Sequence, residues 1–391
     1  MRVDMEFSIF DFGLTIFERT AGRNYNPFMF PTPALRPVKK FRSGSLLTAH
    51  WSLVTGYWLL LTVYCLLMTA CAPVANPNAP YAPGFFYYSL AESSLVFEDR
   101  SYRLPAPSDC TLYAIRPAPR GRWIAVEWDC PSGPRLGLFD SASGRIRLAI
   151  DDQTLDNRLL AWHPDGGSVY LKIGMLSFPQ VIRVDVETLR ATELPVAAFV
   201  YDVAVSPDGG QVLYSLSNGI GFGSETWLGA ENAKNASQLL IEPNHITALA
   251  QFSPDGRKIA YIKMPDSQEP FPAGELWIMD SDGGNLFLAA GTDAGRGFPP
   301  VWSPDGMKIA FIGRNDLADA SSINLSIYDL ATSSIITHPS SLVTPPVWSP
   351  DGAFLVFTAR EGDTIAVWRY DVAAQRAEKI AETACCAGWI R

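Results

Sequence analysis

The chain has 391 residues and a formal net charge of −9, and 18% of its residues are charged, against roughly 25% in an average globular protein. Hydrophobic residues make up 48% and aromatic residues 12%, which excludes a disordered tail or a basic nucleic-acid-binding arm. The 30 prolines and 30 glycines predict many turns. This length often holds two or three domains, but all-β folds of this size are commonly a single domain.

An apolar segment near the N-terminus predicts export. Residues 51–70 contain no charged residue, and a short basic region precedes them. A basic region, an apolar core and small residues in that order are typical of a secretory signal, so we assign residues 36–70 to a signal sequence. The apolar core is also long enough to span a bilayer, so an uncleaved membrane anchor is the alternative.

Cys71 ends the string Leu67-Met68-Thr69-Ala70-Cys71, which resembles the signal of bacterial lipoproteins. The resemblance implies cleavage before Cys71, lipidation of that cysteine and attachment of the exported chain to a membrane. Residues 1–70 carry seven basic and four acidic residues, so their removal takes the net charge to −12. This acidic balance argues against a nucleic-acid partner.

The segments on either side of the signal are interpreted more simply. Residues 1–35 precede the basic region, and we interpret them as a mis-assigned start or a disordered extension. Residues 71–84 begin with the lipidated cysteine and are rich in proline, so we expect an extended tether with nothing to bury. The tether is predicted to hold a folded head, residues 85–391, away from the membrane.

A repeated turn motif runs through the predicted head. The triplet Pro-Asp-Gly occurs five times, with intervals of 43, 47, 50 and 46 residues between the aspartates. Proline presets the first corner of a turn, aspartate caps it, and glycine takes the position with positive φ. We therefore assign these residues a structural role in turns and no catalytic role. They are Pro164, Asp165, Gly166, Pro207, Asp208, Gly209, Pro254, Asp255, Gly256, Pro304, Asp305, Gly306, Pro350, Asp351 and Gly352.

Apolar residues alternate on both sides of each triplet, as in QFSPDGRKIAYIK, which predicts two antiparallel strands around each turn. Each repeat continues with two further runs, such as GELWIMD and NLFLAAG, so one repeat holds four strands. The W-S-P-D-G-x-x-I-A-F core resembles the TolB-like, or WD-type, β-propeller repeat, and the resemblance covers roughly residues 85–391. It implies an all-β fold, a β-propeller with four antiparallel strands per blade.

The two ends of the head predict how the ring closes. A copy of the turn at Gly121, which lacks the aspartate, raises the number of repeats to six. The C-terminal string TACCAGWIR matches an innermost strand, whereas the N-terminal string GFFYYSLAESSLVFEDRSYRLPAP supplies three strands without one. We therefore predict seven blades, the seventh built from both ends of the chain, because closure removes an exposed sheet edge. Six blades with frayed ends is the alternative.

Four cysteines fall in the head, and an even number in an exported protein is typical of disulfides. Cys110 and Cys130 flank the first predicted hairpin symmetrically, so we expect them to lie opposite each other and to form a disulfide. Cys385 and Cys386 are adjacent. Their alternatives are a strained vicinal disulfide, a metal site or a pair of reduced thiols, with the metal site least favoured.

Motifs for catalysis are missing from the sequence of the head. It has three histidines and neither a G-x-S-x-G elbow nor an H-E-x-x-H zinc pair. His163 replaces serine in a turn motif, and Asp280–Asn285 is expected to be a turn and not a calcium loop. We therefore predict no catalytic residue, no metal and no cofactor. The recurring tryptophans, at positions 162, 302, 348 and 389, are expected to pack between blades.

These observations predict a lipid-anchored propeller of the bacterial cell envelope, facing the periplasm or the exterior. A closed propeller offers two loop-rich faces, and such a scaffold tolerates changes in its loops. We expect a monomeric head that binds a protein partner or another ligand in the envelope. The alternative is a propeller enzyme, a lyase or hydrolase, that acts on envelope or extracellular glycans.

Overall fold

A computed structural model describes residues 84–150, 157–174, 180–196, 199–219, 221–267 and 271–390. All regular elements in these ranges are β-strands, and they form seven sheets arranged as a β-propeller. Within the same ranges no helix is long and apolar enough to cross a membrane. The predicted extension, signal, Cys71 and tether up to residue 83 lie outside the described residues.

Six blades follow one another in chain order. Blade I contains β4 (Thr111–Pro117), β5 (Trp123–Asp129), β6 (Arg135–Asp140) and β7 (Arg145–Leu148). Blade II contains β8 (Asn157–Trp162), β9 (Ser168–Ile173), β10 (Gln180–Asp185) and β11 (Ala191–Glu193). Blade III contains β12 (Val200–Val205), β13 (Gln211–Ser217), β14 (Ser224–Ala230) and β15 (Ser237–Glu242). Blade IV contains β16 (His245–Phe252), β17 (Lys258–Pro265), β18 (Ala273–Asp280) and β19 (Phe287–Asp293).

Blade V contains β20 (Val301–Trp302), β21 (Lys308–Arg314), β22 (Ile323–Asp329) and β23 (Ser334–Pro339). Blade VI contains β26 (Phe354–Glu361), β27 (Thr364–Asp371) and β28 (Arg376–Glu382). Its innermost position is shared by two short strands, β24 (Ser341–Leu342) and β25 (Val347–Trp348), which both pair with β26. The first strands of blades II to V lie side by side in chain order, which places them around the centre of the ring.

The seventh blade joins the two ends of the head. Its sheet runs in the order β29 (Ala384–Ile390), β1 (Gly84–Ser89), β2 (Ser94–Phe97) and β3 (Ser101–Arg103). The C-terminal strand therefore takes the innermost position and lies against β4 of blade I and β25 of blade VI. Both the seven-blade count and the composite closure predicted from the sequence are confirmed.

The Pro-Asp-Gly turns owe their shape to one hydrogen-bond network. In blade IV the Ser253 hydroxyl donates to Asp255 Oδ1 at 2.6 Å and accepts the Lys258 N–H at 2.9 Å. The same aspartate oxygen accepts the Arg257 N–H at 3.1 Å. Blades III, V and VI repeat this arrangement. Each aspartate thus satisfies backbone groups that the reversal of the chain would leave unpaired.

Successive turns also touch each other around the ring. A Cβ placed on Gly256 would lie 3.4 Å from Cδ of Pro207, in the turn of the preceding blade, and Gly352 has the same relation to Pro304. The glycines have φ of +72° and +73°, a region that residues with a Cβ rarely adopt. The positive φ therefore requires glycine at these positions, whereas the neighbouring proline lies at an ordinary packing distance.

Tryptophans join the blades near the centre of the ring. The indole N–H groups of Trp162, Trp302 and Trp348 donate to backbone carbonyl groups of the preceding blade, at 3.1, 3.1 and 2.9 Å. Trp389 packs against Phe85 with 5.6 Å between the ring centroids. The expectation that these residues pack between blades is confirmed for the first three, because each bond crosses a blade boundary.

Candidate binding face

The propeller has two unlike faces. Adjacent strands are antiparallel, so all the Pro-Asp-Gly turns lie on one face, which we call the turn face. Connections from the second to the third strand of each blade, and from one blade to the next, lie on the opposite face, which we call the loop face. A candidate site is therefore assigned to a face by the strand ends that carry it.

The turn face holds the predicted turn residues, and the Oδ1 atom of each of four aspartates is engaged in its own turn. Hydrogen bonds from the serine hydroxyl and then from the backbone lower the pKa values of Asp208, Asp255, Asp305 and Asp351 below the ordinary value. In each of these turns one carboxylate oxygen, Oδ1, accepts both the serine hydroxyl and a backbone N–H of the turn. This arrangement supports the structural role predicted for these residues.

Blade II departs from the pattern because His163 stands in place of the serine. Its Nδ1 lies 2.7 Å from Asp165 Oδ1 and its Nε2 lies 3.6 Å from Glu231 Oε1 of blade III. The ring also lies close to Gly209, where a Cβ would come within 2.6 Å of Nε2. His163 is 8% exposed, so it links two blades and is not presented to a ligand.

The cysteines of the head occupy two different settings. Cys110 and Cys130 form a disulfide beside the ends of β4 and β5, with their Cα atoms 4.2 Å apart. Cys385 and Cys386 are buried in β29 with their sulfur atoms 2.6 Å apart. The Cys386 N–H donates to Thr358 Oγ1 of blade VI at 3.0 Å, so this pair lies at the closure of the ring. Among the described residues no group of three or more His, Cys, Asp or Glu side chains could hold a metal ion.

A cluster of charged side chains, which no sequence motif predicted, lies near the first strands of blades I and II. Arg116 lies 2.7 Å from Glu127, and Arg158 forms an ion pair with Asp129 while its guanidinium sits 3.9 Å from the centre of the Tyr113 ring. The paired charges stabilise one another and keep the inner strands of two blades together. Since every one of these charges has a partner, this cluster is better explained as structure than as a site.

The loop face of blade III presents an exposed aromatic loop. The connection between β13 and β14, which we call the glycine loop, contains Gly219, Gly221 and Gly223, all with positive φ. Phe222 lies in this loop and is 72% exposed. Phe199 is 56% exposed, and its carbonyl accepts the Ser217 N–H at 3.0 Å, which places it at the base of the loop.

The glycine loop is held from the neighbouring blade. One carboxylate oxygen of Asp266, in blade IV, accepts the N–H groups of Gly221 at 2.8 Å and Gly223 at 2.9 Å. A Cβ on Gly223 would lie 1.9 Å from the carbonyl oxygen of Glu242, so only glycine fits there. The phenylalanine is thus displayed on a fixed backbone. The cluster of glycines around a phenylalanine was a signal in the sequence, and sequence reasoning missed it.

Two pockets of small-molecule size lie at opposite faces. One, of about 410 Å³, opens on the loop face between blades V and VI and is lined by His338, Arg360 and Trp368 among others. The other, of about 540 Å³, lies near the turn face beside Arg183 and Glu231. These two residues form an ion pair, and Arg183 also donates to the Ser168 hydroxyl at 2.7 Å, so the polar groups of the second pocket are largely paired.

No family model matches the chain, and no curated protein matches it. Solved structures do resemble it. The likeness of those with a TM-score above 0.5 shows the fold. An oligogalacturonate lyase from Vibrio parahaemolyticus is 12% identical, with a TM-score of 0.51, over 78% of this chain and 87% of that one. A puromycin-hydrolyzing peptidase from Mycobacterium tuberculosis is 15% identical, with a TM-score of 0.55, over 74% of this chain and 49% of that one, so the chain spans about half its length. TolB from Acinetobacter baumannii is 17% identical, with a TM-score of 0.47, over 86% of this chain and 71% of that one.

Proposed function

We propose that this chain is a lipid-anchored, extracytoplasmic propeller of the bacterial cell envelope that binds a protein partner through the loop face of blade III. The observation that carries the proposal is Phe222, 72% exposed on a loop whose backbone is fixed by Asp266. Aromatic side chains are enriched at protein–protein interfaces. An aromatic side chain on a fixed backbone loses little entropy on binding and often carries much of the binding energy.

The chemistry of the partner follows from the same surface. Phe222 and Phe199 need an apolar pocket or groove, and the exported part of the chain has a net charge of −12. A complementary partner therefore offers an apolar cleft with a basic rim. The loop face is suited to this role because both phenylalanine side chains are more than half exposed and can contact a second protein.

The test compares three variants of the full chain in membranes of the native host. Phe222→Ala removes the exposed ring, Asp266→Ala releases the loop that carries it, and Met307→Ala removes an equally apolar side chain, 45% exposed, from the turn face. We expect a specific partner to be captured by the wild type and by Met307→Ala, and to be lost with Phe222→Ala. With the purified partner, the loss should amount to about thirtyfold in Kd, as for a central aromatic anchor.

The proposal fails if every captured partner binds Phe222→Ala as tightly as wild type, or if Met307→Ala causes the same loss. The envelope location has its own test, mass spectrometry of the mature N-terminus. Lipid on Cys71 is the expected result, and a chain that still begins upstream of Cys71 would contradict it. Because these tests are separate, the anchor and the binding loop stand or fall independently.

A second candidate is a lyase or hydrolase acting on envelope or extracellular glycans. It is favoured by His338 and Arg360, which place an imidazole and a guanidinium in one pocket of about 410 Å³. An imidazole is the usual proton carrier near neutral pH, and a guanidinium stabilises developing negative charge. Assays of new reducing ends and of new double bonds in a panel of glycans test this candidate. An active protein whose activity survives His338→Gln would locate the chemistry elsewhere.

A further inference from the structure

Two adjacent cysteines lie in the strand that closes the ring. Cys385 and Cys386 belong to β29 and are 5% and 7% exposed, within a hydrophobic cluster of blades I and VII. Among the described residues they are the only free cysteines, because Cys110 and Cys130 form a disulfide. Within that part of the chain, each of the two therefore has only the other as a sulfur partner.

The backbone of β29 is distorted at this pair. Successive side chains of a regular strand point to opposite faces, which would keep adjacent cysteines apart. Here Cys386 has φ of +60°, in the left-handed region. The register with β1 also shifts, so that Cys386 and Ala387 stand opposite the single residue Tyr87. With this bulge in the strand, the sulfur atoms of Cys385 and Cys386 lie 2.6 Å apart.

At this separation the two sulfur atoms are closer than non-bonded atoms rest. Non-bonded carbon atoms pack at about 3.5–4.0 Å, and sulfur is larger than carbon. A disulfide bond is about 2.0 Å long. Two thiols held this close repel each other, whereas a bond between them removes the repulsion. The bulge thus places the pair where a bond needs only a small further approach.

The other cysteines of the head agree with an oxidising environment. Cys110 and Cys130 form a disulfide, and such bonds form and persist in oxidising compartments. Export of the chain would supply that compartment, so on this point the inference rests on the envelope location in the proposed function. The pair in β29 is buried only when the strand docks, and an oxidant can reach it before that step.

From these observations we propose that Cys385 and Cys386 form a reversible vicinal disulfide, a redox clasp on the strand that closes the ring. The oxidant is a disulfide of another protein or of a small thiol such as glutathione. One cysteine thiolate attacks it to give a mixed disulfide, and the other cysteine then displaces the bound thiol. Two S–H bonds of the chain and the S–S bond of the oxidant break, one S–S bond forms in β29, and the oxidant is reduced to two thiols.

The clasp acts on β29 locally. The bond closes a loop of only two residues, so it removes little entropy from the unfolded chain, and its effect is to fix the backbone of the bulge. The Cys386 N–H donates to Thr358 Oγ1 of blade VI at 3.0 Å, so the bulge is part of the contact between β29 and its neighbour. Reduction lets the sulfur atoms move apart, and β29 should then open more often. The clasp is separate from the glycine loop and goes beyond the proposed protein interface.

The first test reads the oxidation state of the full chain from membranes of the native host, unfolded in urea with N-ethylmaleimide before any reductant is added. Trypsin releases residues 380–391, which contain no other cysteine. We expect this peptide to carry no N-ethylmaleimide and to be lighter than the dithiol by two hydrogen atoms, and to take up two N-ethylmaleimide groups after reduction. A peptide that carries N-ethylmaleimide or glutathione before reduction overturns the proposal. Free thiols in a chain lipidated at Cys71 would refute the clasp and leave the envelope location standing.

The second test measures hydrogen exchange in residues 384–390 of the full chain, with and without dithiothreitol. We expect reduction to speed exchange in β29 at least about fivefold. The effect should persist in Cys110→Ala/Cys130→Ala, which keeps the vicinal pair, and vanish in Cys385→Ala/Cys386→Ala. If the first variant does not fold, the comparison of the wild type with the second decides. Exchange that reduction leaves unchanged in the wild type, or changes equally in Cys385→Ala/Cys386→Ala, overturns the clasp.

Discussion

A graded set of glycine substitutions separates the two reasons for glycine in the turns. Gly362 has φ of +58° and nothing within 4 Å of a Cβ, so Gly362→Ala measures the backbone cost alone. Gly352 has φ of +73° and adds a contact of 3.4 Å with Pro304, which is ordinary packing distance. Gly166 has φ of +75°, and its Cβ would lie 1.9 Å from the carbonyl oxygen of Arg120, so the backbone must move.

The expected order follows from these distances. A residue with a Cβ loses about 1–2 kcal/mol in the left-handed region, which we expect for Gly362→Ala and Gly352→Ala. Forcing the backbone of two blades apart adds about 1–3 kcal/mol for Gly166→Ala. With about 2.1 cal/mol/K per residue over roughly 300 residues, each kcal/mol lowers the Tm by about 1.5 °C.

Thermal melts of the three variants therefore should show Tm decreases of about 2–3 °C for the first two and about 3–8 °C for Gly166→Ala. Gly84→Ala is the matched control, because Gly84 has no positive φ and nothing near its Cβ, and its Tm should not change. If Gly166→Ala melts no lower than Gly362→Ala, the contact between successive turns does not constrain the ring, and our account of the turn face is wrong.

Three further predictions concern the closure, the centre and the buried thiols. Deleting residues 384–391 removes β29, so β1 and β4 then face an open gap. We expect the cooperative thermal transition to be lost as a result. A truncated chain that melts like the full-length protein refutes the closure. Burial raises the pKa of Asp202 to about 6 although the Ala250 N–H donates to it at 2.9 Å, so the native protein holds this proton more tightly than the unfolded chain. The stability that this proton supplies is present below about pH 4 and is lost as the pH rises through about 6. Between about pH 4 and 7, the free energy of unfolding of Asp202→Asn, measured by urea titration, should therefore rise by up to about 2–3 kcal/mol relative to that of the wild type. A difference between the two proteins that does not change with pH contradicts this prediction. The hydrogen bond with Cys386, and then burial, raise the pKa of the Cys385 thiol well above its ordinary value. In the native protein at about pH 8, this thiol should therefore react only slowly with iodoacetamide. Rapid labelling would show that β29 opens.

Turn chemistry and periodicity in the sequence were enough to predict the blades. Proline, aspartate and glycine act on their own backbone within four residues, so each turn is encoded where it stands. The composite seventh blade was also predictable, because the strings at the two ends supply three strands and one strand, and an open sheet edge is unfavourable. None of these inferences requires knowledge of which side chains meet across blades.

The candidate sites depend on residues that are far apart in sequence. Asp266 holds the glycine loop through the N–H of Gly223, 43 positions earlier, and the Trp348 N–H donates to a carbonyl group 47 residues earlier. Tertiary structure decided these contacts because a propeller packs each blade against the next, and the partners of a side chain then lie one repeat away.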